Sequence, residues 1–174
     1  MQTPPLLPEI VLARVVRLAR FDGLSVFALG SVFALMMVVT REVPFAAVGL
    51  LAAGAGAVEL HGVSLLKQGE ARGMQWLIAS QPFLLIVILG YCALRMTHFE
   101  MPPLPDGFRE LAQAAAQQWG MSVDDYFRTV NRLTVQALAV VAFAYQGAMA
   151  VYYLRRRASV ARALAATPDS DFVT

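Results

Sequence analysis

Four stretches of the chain carry almost no charge, and each is close to the length needed to cross a bilayer. Residues 23–40, between Asp22 and Arg41, form the first, and residues 43–66, interrupted by Glu59 and His61, the second. Residues 73–96, uncharged as far as Arg95, form the third, and the uncharged residues 133–154 the fourth. A hydrocarbon core of about 30 Å is spanned by about 20 helical residues. Lipid offers no partner for a free backbone N–H or C=O, so such runs must be helical. The composition agrees. The chain is 58% hydrophobic and 15% charged, whereas a water-soluble domain is about 45–50% apolar and about 25% charged.

Lysine and arginine set the expected orientation. Arg14, Arg17 and Arg20, Lys67 and Arg72, and Arg155, Arg156, Arg157 and Arg162 put nine on one side. Arg41, Arg95, Arg109, Arg128 and Arg132 put five on the other. The richer side is cytoplasmic by the positive-inside rule, so both termini are expected there, in a bacterial inner (plasma) membrane. Trp76 and the pair Tyr152–Tyr153 lie at the cytoplasmic ends of their spans and Tyr91 near an outer end, as amphipathic rings at headgroup level do. The first span does not read as a signal peptide, because no small-residue cleavage pattern follows Thr40.

The segments between and beyond the spans have their own patterns. Residues 9–21 place Arg14, Arg17 and Arg20 three apart among Ile10, Val11, Leu12, Val15 and Leu18. This predicts a short amphipathic helix on the cytoplasmic membrane surface, with a plain extension of the first span as the alternative. Residues 97–132 predict an outer helical loop. A helix should run from Asp106 to Trp119 and stop at Gly120, and Ser122 with Asp125 forms a capping box for a second helix leading into the fourth span. These helices are expected to cap the outer mouth of the bundle. Residues 167–174 read as a short disordered tail. The expected fold is therefore a single all-α membrane domain, an antiparallel four-helix transmembrane bundle with an N-terminal interfacial helix and an outer helical cap.

Glu59 is the most informative residue. It lies seven positions before the inner end of the second span, roughly 10 Å inside the boundary at about 1.5 Å per residue. A charge at mid-helix costs about 2.5–3.5 kcal/mol on insertion scales, so Glu59 should face protein or a water-filled cavity. Ala52, Ala55, Gly56 and Gly62 share its helical face, whereas His61 is about 200° away and cannot. Small residues let another helix approach closely, and they also offer a face for homo-oligomerisation. A hairpin of spans two and three centred near Glu70 sets Glu59 level with Ser80 and Gln81; depth reckoning adds Gln146 and Ser31. Together these predict one intramembrane polar layer, supplemented by the carbonyl that Pro82 frees.

Two readings of that layer compete. Hydrogen-bonding glue between helices makes the protein a non-enzymatic scaffold or accessory protein. A proton or cation site makes it a transporter or channel subunit, with Glu59 as ion ligand and Gln81 and Gln146 in support. The residues favour the first, because Glu59 has no evident basic partner and the chain shows no internal repeat. A lipid-binding protein or membrane enzyme ranks third. Cys92, Met96, His98 and Met101 form a soft-ligand set suited to Cu(I), although such residues in an apolar helix usually serve packing. The chain has no phosphate loop, metalloprotease or dinucleotide motif, so no cofactor is expected. A lone cysteine excludes an internal disulfide. The expected partners are the bilayer and another membrane protein or a second copy. The basic residues sit at span ends and offer nothing to a nucleic acid.

Overall fold

A computed structural model describes residues 7–98 and 106–166. Among them the chain is all-helical, with five helices: α1 (Pro8–Val39), α2 (Val43–Lys67), α3 (Gly73–Thr97), α4 (Asp106–Gln118) and α5 (Val123–Ala166). Four of these, α1, α2, α3 and α5, are long and apolar enough to cross a membrane. The expected tail at 167–174 and the stretch 101–105 lie outside the described residues.

Local chemistry sets the helix ends. Pro8 opens α1, where a missing N–H costs nothing. The Thr40 hydroxyl donates to the Met36 and Met37 carbonyls at 3.3 and 3.1 Å, and Arg41 adopts a left-handed φ of 62°. Together they close a turn so tight that α2 begins at Val43. Gly69, at φ 81°, ends the α2 turn, and Glu70 pairs with Arg72 beside it. Ser122 accepts the Asp125 N–H at 3.1 Å and donates to its carboxylate at 2.7 Å, which caps α5.

The N-terminal segment is not a separate surface helix. α1 continues without a break for 32 residues, about 48 Å at 1.5 Å per residue. The cause is a second apolar stripe. Val11, Val15 and Ala19 recur every four residues and are buried in a cluster with Leu66, Met74, Leu77, Tyr153 and Val160, while Arg14, Arg17 and Arg20 stay exposed. α5 likewise continues past the fourth apolar run to Ala166, so α1 and α5 extend well beyond a hydrocarbon core of about 30 Å.

Along the α1–α2 seam the usual size distribution is reversed. Phe27, Leu29, Val32, Leu35, Leu50, Ile86, Val140 and Phe143 are exposed, whereas the contacts across this seam are made largely by small residues. A methyl group added at Gly30 would lie 2.5 Å from the Ala53 nitrogen, one at Gly49 2.6 Å from that of Ala34, and one at Gly56 2.5 Å from that of Phe27. Gly62 and Gly73 bring α2 and α3 together in the same way. Apolar side chains gain little by leaving lipid, so association rests on close backbone packing. The glycines of α2 thus pack against α1, at Gly49 and Gly56, and against α3, at Gly62. α4 packs against α5 and buries Ala112 and Ala116, leaving Phe108, Leu111 and Trp119 exposed.

Candidate functional site

Helix register decides which polar side chains meet. Along the α1–α2 pair, Gly23 faces Gly56 and Leu60, and Gly30 faces Gly49 and Ala53. Contacts therefore climb α1 as they descend α2, and they set Asp22 level with Glu59. Cys92 Sγ approaches the Val135 carbonyl at 3.7 Å and Asn131 Nδ2 that of Arg95 at 3.5 Å. Continued along α3 and α5, that register brings Gln146 level with Gln81.

The result is a buried polar cluster to which all four long helices contribute. Glu59 (2% exposed), Gln81 (1%), Ser80 (2%), Gln146 (4%) and Asp22 (7%) are its buried polar members, and Tyr153 is fully buried beside them. Glu59 Oε1 accepts the Tyr153 hydroxyl at 2.8 Å and the Gln81 amide at 3.3 Å. The same amide reaches Ser80 Oγ at 3.2 Å, and the Ser80 hydroxyl donates to the Leu77 carbonyl at 2.9 Å. Tyr145, half exposed on the bundle surface, turns its hydroxyl inward to Asp22 Oδ1 at 2.9 Å. Asp22 stands level with Glu59 across the α1–α2 seam, where a Cβ built on the adjacent Gly23 would lie 3.3 Å from the Glu59 Cβ.

The cluster has more acceptors than donors. Asp22 Oδ2, Gln81 Oε1 and Gln146 Oε1 are buried and have no hydrogen-bond partner. An unpaired buried acceptor costs about 1–3 kcal/mol. Among the described residues the one ion pair joins Arg72 to Glu70, so no cationic side chain neutralises Asp22 or Glu59. With both ionised, two like charges would share one buried site. A proton between the carboxyls, or a cation drawing in the unpaired oxygens, would relieve both problems. The unpaired atoms are all oxygens, which suit a proton or a hard cation rather than a soft metal.

Ser31 does not join this layer. It lies nine residues beyond Asp22 on α1, about 13 Å further along at 1.5 Å per residue, and Asp22 takes its place. Depth reckoned from the edge of the apolar run failed because α1 starts far below that edge. The copper set is not assembled either. Cys92 is buried and its thiol turns toward α5, Met96 and His98 are exposed, and Met101 lies outside the described residues. His98 Nδ1 instead contacts the Thr97 hydroxyl at 2.8 Å. His61 is exposed on α2 and stacks edge-on to Trp76 with ring centroids 5.3 Å apart.

Sequence reasoning missed Asp22, Tyr145 and Tyr153. In the sequence Asp22 reads as the border of the first span and Tyr153 as a headgroup aromatic. The signal for Asp22 was present: a hairpin folded at Thr40–Arg41 pairs residue 22 with residue 59, by the same arithmetic that paired Glu59 with Gln81. Comparison with protein-family models, curated proteins and solved structures gives no match.

Proposed function

We propose that this is a proton- or cation-coupled membrane protein, a transporter or channel subunit whose ion site is the Asp22–Glu59 carboxyl pair. In this reading four antiparallel spans cross a bacterial inner membrane with both termini cytoplasmic, following the lysine and arginine bias. The observation that carries it is the surplus of buried acceptors: two buried carboxyls at one level and three unpaired oxygens, with no cationic partner among the described residues. Tyr153 and Gln81 hold Glu59, Tyr145 holds Asp22, and Gln146 supplies a further oxygen at the same level. On the outer side, α4 and the first turns of α5 cap the bundle.

A scaffold or accessory role is the second reading, favoured by the glycine seam that locks α1 on α2. Proton, Na⁺ and K⁺ flux into proteoliposomes separates the two. The ion-site reading expects flux in the wild type that Glu59→Gln and Asp22→Asn each abolish while folding and insertion stay normal. Equal flux in all three proteins, or none in the wild type, would leave the carboxyls as interhelical hydrogen-bond partners and the protein as a scaffold.

A further inference from the structure

Along the α3–α5 pair, away from the polar cluster at Gln81 and Gln146, a cleft of about 250 Å³ opens between the last turn of α3 and α5. Its lining is Met96, Thr97, Arg128, Asn131 and Arg132. Arg128 and Arg132 stand one helical turn apart on α5, so their Cβ atoms are about 5–6 Å apart. Both are exposed, and among the described residues neither makes an ion pair. Asp124 and Asp125, in the preceding turn of α5, pair with neither, and Asp125 is held by Ser122. Two guanidinium groups flanking one cleft form a fork that fits phosphate oxygens bidentately.

The surroundings indicate which phosphate. The cleft sits where the uncharged run 133–154 begins, which is headgroup depth. Met96 forms an apolar lip, and Leu133, the next residue after Arg132, is exposed at 60%. A ligand seated there meets cationic groups above and lipid-facing hydrocarbon below. A soluble anion uses only the first; a phospholipid uses both.

We propose that Arg128 and Arg132 form a binding site for the phosphodiester headgroup of an anionic phospholipid, with its acyl chains lying against Met96 and Leu133. The test is native mass spectrometry of the detergent-purified protein titrated with dioleoyl phosphatidylglycerol or dioleoyl phosphatidylcholine. The wild type should retain one phosphatidylglycerol with at least about fivefold preference, the factor expected for an arginine at a charged lipid surface. Arg128→Gln/Arg132→Gln should lose that preference, Arg128→Lys/Arg132→Lys should keep part of it, and Arg155→Gln/Arg156→Gln at the opposite end should keep all of it. Equal retention of the two lipids by the wild type would overturn the proposal, as would equal loss in the two glutamine variants. Displacement of the lipid by millimolar inorganic phosphate would make the ligand a soluble anion and overturn the lipid assignment.

Discussion

Replacing Gly56 by alanine adds a methyl group where α1 and α2 meet through their backbones. That carbon would lie 2.5 Å from the Phe27 nitrogen, 2.7 Å from the Gly23 carbonyl oxygen and 2.9 Å from the Phe27 Cα. None of these atoms can rotate away. Comfortable separations are about 3.5–4.0 Å, so the helices must part by about 1 Å. Overpacking of this kind costs about 1–3 kcal/mol, offset by up to about 1 kcal/mol because alanine favours the helix over glycine. With the full offset a net loss of up to about 2 kcal/mol follows. Parting α1 from α2 also draws Asp22 away from Glu59. Gly54, on the same helix, is the internal control: a methyl there meets nothing within 4 Å, so Gly54→Ala should be neutral or stabilising by up to about 1 kcal/mol. The assay is unfolding by sodium dodecyl sulfate titration in mixed micelles, followed by circular dichroism. Equal shifts for the two variants, or a Gly56→Ala protein at least as stable as the wild type, would refute the backbone-contact argument.

Tyr153→Phe removes the 2.8 Å hydrogen bond to Glu59 from a fully buried position, so stability should fall by about 1 kcal/mol. An unchanged thermal midpoint in detergent would show that the bond contributes nothing. Cys92 is buried with its thiol toward α5, so maleimide labelling should be slow in the folded protein and complete after denaturation; rapid labelling would place the thiol on the surface. For topology, green fluorescent protein fused after Ala166 should fluoresce and alkaline phosphatase inserted at Gln113 should be active. The reverse pattern would invert the orientation.

What could be read from the sequence follows from which constraints act locally. The boundaries of α2 and α3 fall within a residue or two of the charge-poor runs 43–66 and 73–96, because lipid disfavours charge one residue at a time. The cap of α5 was readable from Ser122 and Asp125 for the same reason, since both partners lie within four residues. The level of Gln81 against Glu59 was accessible because a short turn joins their helices. α1 was harder. Its first four turns include three arginines, which suggests a change of direction, but Val11, Val15 and Ala19 bury a stripe against Leu66 of α2, Met74 and Leu77 of α3, and Tyr153 and Val160 of α5. The same long-range pairing moved Tyr153 from the headgroup layer to the interior. Such contacts depend on register between helices far apart in sequence, and no local pattern encodes it.

The unbroken course of α5 has a mechanical consequence. Gln146 lies 23 residues after Val123 and 20 before Ala166, so the helix reaches about 35 Å to one side of the polar cluster and about 30 Å to the other. It is a lever with the carboxyl cluster near its fulcrum. A tilt of about 5° around Gln146 would sweep each tip by about 3 Å, in opposite directions, over arms of these lengths. Such a tilt would displace the Arg128–Arg132 end and the Val160–Ala163 contacts in opposite directions and would move least the level where Tyr145 and Tyr153 hold the two carboxyls.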